Sequence, residues 1–376
     1  MTINKRIKYF TYRGSDDEGQ CRNNSPAADT KVDYIVSVLN RIGYGVDVIS
    51  RAPSAETHYI SSSVKIIEEN RYKYFASFGC TNAILRLFNR WFMGLQFFLW
   101  CLFNIKKKEQ VIVYHSLGYD SIFNVLSKIK SFTIIGEVEE IYQDVSPQTK
   151  RISRNEYKFI NACDKYILPT ELLDKKINSL RKPCVIIYGV YSIAHIVENK
   201  FSDGKVHVVY GGTLDPNKGG AYAAATAAAF LPRNYHIHIC GFGDSSQIKS
   251  LIAEVQSQTD AIITFEGEIK GDAYQQFIQK CHIGLSTQNP HAAFNDTSFP
   301  SKVLVYMSNN LKVVSARIPV ITNSRIVNNV CFYDEQTPQN IAESIILAAE
   351  EEHKENDILY HLDQKFYEDL KALIEL

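Results

Sequence analysis

The sequence predicts an α/β protein made of two doubly wound domains, each a parallel sheet flanked by helices. Three observations carry that reading. The chain opens as strand, loop, helix and strand. The same alternation starts afresh near residue 206. And 376 residues, at roughly 150 per domain, hold two domains of this kind.

The elements follow in order. Lys8–Tyr12 reads as a buried first strand, and a polar loop runs from Gly14 to Asn24. Ser25-Pro26 has the signature of an N-cap followed by proline at the first helical position. Val32, Ile35, Val36, Leu39 and Ile42 recur at helical spacing, Gly43 ends the helix, and Val46–Ile49 is a second strand. Further strands are expected at Val111–Tyr114, Phe132–Ile135, Lys165–Leu168 and Cys184–Tyr188. Glu198–Lys205 is polar enough for a linker. Beyond it come strands at Val206–Tyr210, His236–Cys240, Ala261–Thr264, Ile283–Ser286, Lys312–Ser315 and Val330–Tyr333. Between them lie helices at Ala221–Phe230, Gln247–Gln256 and Ala273–Lys280. This places an N-terminal domain at 1–195 and a C-terminal one at 205–355. The last helix, over 360–376, is expected to pack back on the first domain.

Trp91–Ile105 holds no charged residue, and Lys106-Lys107-Lys108 follows at once. Fifteen residues fall short of the roughly 18–20 that span a bilayer. Two readings stand: a fully buried helix, or a hydrophobic surface helix whose basic edge touches an anionic membrane face.

Charge adds to the second. The chain as a whole balances 41 basic against 41 acidic residues, which gives no nucleic-acid signature. Residues 1–188 carry 27 Lys+Arg and 19 Asp+Glu, and residues 189–376 carry 14 and 22, so the halves are +8 and −8. A basic half suits an anionic partner. With 20 Phe and 22 Tyr there is ample surface to bury, which excludes disorder. The 8 cysteines form no CxxC pair, which disfavours a zinc ribbon or a thioredoxin-type site. MTINKRIKYF turns straight into a strand with no signal peptide, so a cytoplasmic protein is expected, with peripheral contact to the inner membrane face.

Three turns are candidates for chemistry. Gly211-Gly212-Thr213-Leu214-Asp215-Pro216-Asn217-Lys218-Gly219-Gly220 joins a strand to a helix. Its glycines let a ligand approach the backbone, the helix start offers unpaired N–H groups, and Lys218 adds a charge. Together they suit a diphosphate. Cys240-Gly241-Phe242-Gly243-Asp244 is a second ligand-facing turn, and a poor dinucleotide fingerprint because Ser246 stands where a third glycine belongs. In Ser298-Phe299-Pro300-Ser301-Lys302, Ser301 opens a helix with Lys302 in its first turn. A lysine there opposes the helix dipole unless an anion lies between. All three turns fall at C-terminal strand ends, where open α/β sheets bind ligands. No D-x-D pair occurs, so a carboxylate-bound Mg²⁺ is not required. In the first half, His115 follows a strand, and Glu137 and Glu139 share a face if extended. Either glutamate is a candidate to face a ligand. Glu140 reads as a solvated charge.

The succession GGTLDPNKGG, HICGFGD, FEGEI and FPSKVLVYMSNNLKVVS resembles the C-terminal domain of GT-B glycosyltransferases of the retaining family four, over about residues 205–350. The N-terminal half is similar in layout only. The resemblance implies two Rossmann-like domains facing across a cleft. It implies that Lys218 and Lys302 hold the donor diphosphate, that backbone near Glu268-Ile269 meets the base, and that the sugar lies against Asn295, Asp296, Thr297 and Ser298. Gly212, Thr213, Gly241, Gly243 and Ser301 would complete the donor site. It implies no protein nucleophile, no metal and no cofactor, the nucleotide sugar being a substrate. The family's paired glutamates fall here at Thr297 and Val305, and the arginine common after its first-motif glycine is Thr213. The expected activity is a hexosyltransferase in surface polysaccharide biosynthesis, with a nucleotide-sugar donor, a glycan or lipid-linked acceptor, and membrane contact through Trp91–Lys108. A nucleotide-sugar 2-epimerase and a non-catalytic sugar-nucleotide-binding subunit are the alternatives.

Overall fold

The computed structural model describes residues 5–376 except 16, 18, 19, 24, 81, 146–149, 217 and 353–356. Of residues 26, 27, 144, 145, 150, 151, 293 and 294 it describes the backbone only. Asn217 of the first glycine turn and the end of the expected second domain therefore lie outside the described residues. The chain divides into two compact units. One comprises 1–169, 173–190 and 364–376, the other 170–172 and 191–363.

The first unit carries β1 (Lys5–Thr11), α1 (Pro26–Ile42), β2 (Tyr44–Ser50), β3 (Ser63–Ile67), β4 (Asn70–Tyr74), α2 (Ala83–Asn104), β5 (Gln110–Tyr114), α3 (Leu117–Ile129), β6 (Thr133–Glu137), α4 (Tyr142–Val145), α5 (Lys150–Ala162), β7 (Lys165–Leu168), α6 (Glu171–Ile177) and β8 (Cys184–Ile186). Its eight strands run in the order β3-β4-β2-β1-β5-β6-β7-β8, all parallel except the β3–β4 hairpin. Buried apolar side chains such as Ile7, Val48, Ile112 and Ile135 fill the strands, as a sheet covered on both faces requires. Gly43, at φ 106°, ends α1 by the left-handed turn only glycine takes freely. Ser25 stands at the N-cap of α1 without a side-chain cap bond.

α2 tests the first of the two readings of the apolar segment. It starts at Ala83, where the Asn82 side chain accepts from Leu85 N–H at 2.9 Å. One stripe, Asn89, Met93, Phe97 and Cys101, is buried. The opposite stripe, Ile84, Leu87, Trp91, Leu95 and Phe103, is exposed, Trp91 at 64% and Phe103 at 79%. A fully buried helix is excluded, because only one of its two apolar faces meets the core.

The second unit carries β9 (Val206–Thr213), α7 (Gly220–Ala227), β10 (Tyr235–Phe242), α8 (Ser246–Gln256), β11 (Ile262–Gly267), α9 (Gly271–Lys280), β12 (Ile283–Ser286), α10 (Ser301–Ser308), β13 (Lys312–Ala316), α11 (Pro319–Thr322), β14 (Val330–Tyr333) and α12 (Pro338–Glu350). Its parallel sheet runs β11-β10-β9-β12-β13-β14. That is the doubly wound order 3-2-1-4-5-6, whose direction reverses between β9 and β12. The segment read as a linker is tied to this unit: Phe201 N–H donates to Lys280 C=O, and Lys200 Nζ to Cys281 C=O. The last helix, α13 (Asp357–Glu375), begins in the second unit and ends in the first.

Candidate active site

The switch point of the second sheet is built from glycine. Gly211 and Gly212 stand just before the last residue of β9, and Gly241, near the end of β10, pairs with Gly212 in register. Side chains are excluded here by contact. A Cβ at Gly211 would lie 2.1 Å from Tyr274 Oη, and one at Gly241 2.3 Å from Gly212 O. A Cβ at Gly212 would meet Lys302 Cε at 2.6 Å and Nζ at 2.9 Å. Lys302 therefore lies directly on the backbone of the first glycine turn, with its ammonium 5.4 Å over the Tyr210 ring.

Ser301 and Lys302 open α10 as the sequence reads them, with Pro300 at the N-cap. Burial lowers the Lys302 pKa, and the positive charge of Lys218 lowers it further. The two lysines are thus close enough to repel. Among the described residues neither has a carboxylate within 4.0 Å. Lys302 thus lies on the glycine backbone at the start of α10, and Lys218 stands just before the start of α7.

The surrounding backbone is tightly fixed. Gly211 N–H donates to Tyr306 Oη at 2.9 Å, and the Tyr306 ring lies where a Cβ of Gly284 would be. Thr287 Oγ1, just past β12, donates to Gly220 C=O at 2.7 Å and ties the switch point across. Tyr210, Thr287 and Tyr306 were not among the expected site residues: Tyr210 precedes the first glycine turn, Thr287 follows β12 and Tyr306 lies in α10, with no local pattern that brings them together.

The remaining donor-site candidates are placed as follows. Thr213 ends β9, and Gly243 follows β10 at φ 117°. Asn295 is buried, giving its Nδ2 to Asn289 C=O at 2.6 Å and taking the amide of Gln288 at 2.5 Å. Asp296 is exposed. Thr297 is buried, its carbonyl accepting from Thr170 Oγ1 at 3.0 Å. The hydroxyls of Thr297 and Ser298 have no hydrogen-bond partner among the described residues. Glu268 and Ile269 follow edge strand β11, two strands from β9, where Glu268 is exposed and pairs with Lys270 at 3.0 Å. Val305 is 37% exposed, with no acidic side chain in its place.

In the first unit the expected carboxylates are not presented to solvent together. Glu137 ends β6 fully buried, accepting from the Tyr9 hydroxyl, and Glu139 pairs with Lys31. Burial first, then Glu139, pushes the Glu137 carboxyl well above the usual range. Glu140 is half-buried and its pKa raised, contrary to the solvated charge the sequence suggested. His115, next to β5, is buried against Phe159, and burial pulls it down to about 4. It sits 3.7 Å from Asp120 and 3.6 Å from Glu156, both buried. Burial, then Glu156, raises Asp120 to about 9. The sequence reading missed this acid pair, since Asp120 looks like an ordinary first-turn residue of α3.

No protein-family model matches the chain, and no curated protein does. Solved structures do. The E. coli trehalose-6-phosphate protein bound with UDP-2-fluoro glucose aligns over 98% of this chain and 99% of its own, at TM-score 0.69 and 9% identity. The lipopolysaccharide outer core galactosyltransferase WaaB aligns over 98% and 99%, at 0.65 and 15%. The catalytic domain of starch synthase IV from Arabidopsis thaliana, bound to ADP and acarbose, aligns over 99% and 95%, at 0.61 and 8%. The chain has the GT-B fold. Within that fold the switch point of the second Rossmann-like unit holds Lys218, Lys302 and the three glycines.

Proposed function

We propose that the chain is a retaining glycosyltransferase. It moves a sugar from a nucleotide-sugar donor to a glycan or lipid-linked acceptor, in the making of a surface polysaccharide. The observation that carries this is Lys302 lying on the Gly212 backbone within electrostatic reach of Lys218, two cations without a carboxylate partner among the described residues. Departure of a nucleoside diphosphate concentrates negative charge on its phosphates, and positive groups fixed in advance stabilise that charge. The departing phosphate takes the acceptor proton in this scheme, so no protein nucleophile is needed. The exposed stripe of α2, with Lys106–Lys108 at its end, rests on an anionic membrane surface where a lipid-linked acceptor is found. Among the described residues no helix is long and apolar enough to cross a membrane.

A panel of UDP-, GDP-, dTDP- and ADP-sugars tests the proposal, first by thermal shift and then by release of free nucleotide on adding acceptor glycans. Nucleotide release that depends on acceptor supports it. Sugar interconversion without acceptor would identify a 2-epimerase instead, and binding without turnover of any donor a non-catalytic subunit.

A further inference from the structure

The opposite end of the second sheet holds a cluster that the transfer reaction does not use. His207 is the second residue of β9, and His236 and His238 are the second and fourth of β10. His236 and His238 share a face of their strand and stack with centroids 3.8 Å apart. His207 pairs with His236 in register, and Phe201 stacks on it at 4.1 Å. A ring nitrogen of each histidine lies within 4.8 Å of one from each of the others.

The hydrogen bonds decide which nitrogens carry hydrogen. His207 Nε2 is 2.9 Å from Asp203 Oδ1. An ionised carboxylate only accepts, so Nε2 donates and Nδ1 is a bare lone pair. His238 Nδ1 is 2.8 Å from Glu266 Oε1, which leaves its Nε2 bare by the same argument. Yet His207 Nδ1 and His238 Nε2 face each other at 2.8 Å. The three gaps of this carboxylate–His–His–carboxylate row need three hydrogens, and two neutral rings bring two. Something electrophilic has to close the middle gap. The third ring is set up alike. The Thr264 hydroxyl donates to Glu266, so it accepts from His236 Nε2–H at 2.9 Å, and His236 Nδ1 is bare.

We propose that His207, His236 and His238 bind a divalent transition-metal ion of the zinc class. Imidazole donors suit zinc, nickel or copper rather than magnesium or calcium. A carboxylate on the far nitrogen of a ligating histidine fixes its tautomer and orientation and raises its basicity, and Asp203 and Glu266 stand in that position. Zinc–nitrogen bonds of about 2.0–2.1 Å at a tetrahedral angle set two nitrogens about 3.3 Å apart, so the gap opens by about 0.5 Å. Three protein ligands leave a fourth position for water. His282 is not that ligand, because its Nδ1 already accepts from His207 N–H at 3.0 Å. His236 is only half-buried and gives the ion an entry. The site lies at the N-terminal strand ends, roughly 16 Å along β9 from Gly212 at about 3.3 Å per residue. The ion therefore clasps β9 to β10, apart from the diphosphate site, and the proposal does not depend on the transferase reading.

The full-length protein, stripped with chelator, is titrated with Co²⁺ while its visible d–d absorption is followed, and with Zn²⁺ by calorimetry. One ion per chain is expected, Zn²⁺ displacing Co²⁺ and raising the Tm. His236→Gln should weaken Zn²⁺ binding at least tenfold, and Glu266→Gln, acting through His238, by about 10–100-fold. Circular dichroism and nucleoside diphosphate binding on the same samples establish that each variant is folded, and either folded variant suffices. Absence of saturable Co²⁺ or Zn²⁺ uptake by the wild type overturns the proposal and leaves a proton in the gap. Uptake that folded variants retain unchanged overturns it too, because the ion then sits elsewhere.

Discussion

At the scale of single residues, the proposed donor site is a matter of where two charges are forced to sit. Lys302 has given up solvent to lie on the Gly212 backbone beside Lys218, a position that favours it only when an anion shares it. Lys302→Ala should therefore cost turnover rather than folding. The loss of barrier stabilisation should be about 2–4 kcal/mol, as for removing one donor from a charge-stabilising site. Transfer rates and Tm, measured side by side, check this; near-normal rates with unchanged nucleotide affinity would take Lys302 off the phosphates. Asp120 presents the opposite problem, a carboxyl buried at 1% exposure with no hydrogen-bond partner for either oxygen among the described residues. Its pKa rises from 3.8 to about 9 in the folded state. Because the folded pKa is the higher one, the stability it contributes is full below the unfolded value and is lost as pH climbs toward the folded one. Asp120→Asn removes that loss. The variant's stability advantage should widen by an order of 2–4 kcal/mol between about pH 5 and about pH 8. Denaturant unfolding of both proteins across that range tests it, and parallel curves would mean that Asp120 finds a partner for its charge.

At the scale of elements, α2 makes a separate prediction. Its exposed stripe supplies apolar area, and Lys106, Lys107 and Lys108 follow it, each worth about 1 kcal/mol near an anionic surface. Three such charges amount to roughly a hundredfold in partitioning. The wild type should therefore co-sediment with anionic vesicles at low salt and release at about 1 M salt, where the screening length falls to about 3 Å. Replacing the three lysines with serine should abolish sedimentation and spare donor binding; vesicle binding that survives both treatments would rule the basic edge out. The same helix shows what a sequence conceals. Its apolar run was visible from Trp91, yet the helix starts at Ala83, because Arg86 and Arg90 interrupt the pattern on its exposed side. The β3–β4 hairpin was missed for a related reason. β3 is exposed nearly throughout, and β4 buries Asn70, Tyr72 and Tyr74, whose polar tips hide an alternating strand. The second sheet was legible because strands such as Val206–Tyr210 are short apolar runs bounded by glycine. The glycine turns were legible for the same reason, as breaks at the strand ends. What no local pattern could give was the reach of Lys302 across to Gly212, or the meeting of His207 with His236 and His238. Both are products of strand order.

At the scale of the whole molecule, two units with separate cores are joined by a chain that leaves the first and returns to it. The return is made by α13. Phe366 stacks on Tyr34 at 5.9 Å, and Leu370, Leu373 and Ile374 are buried in the first unit. Its last carbonyls also serve that unit: Leu373 O accepts from Lys165 Nζ at 2.7 Å and Ile374 O from Gln110 Nε2 at 2.9 Å. Burying each large apolar side chain is worth about 1.5–3 kcal/mol, so the four together contribute about 6–12 kcal/mol. That is comparable with the whole stability of a typical domain, about 5–15 kcal/mol. A chain ending at Asp363 loses all four, and it leaves Lys165, whose ammonium burial already disfavours, with the Gln110 side chain as its one remaining hydrogen-bond partner among the described residues. The first unit of the shortened chain should therefore unfold at room temperature. The second unit has its own sheet, and Lys218, Lys302 and the glycine turns lie within it. Calorimetric scans should accordingly lose one transition and keep another, and the remaining one should still rise in Tm with added nucleoside diphosphate. Loss of both transitions would show that the two units fold as one. Survival of both would show that the first closes its core without α13.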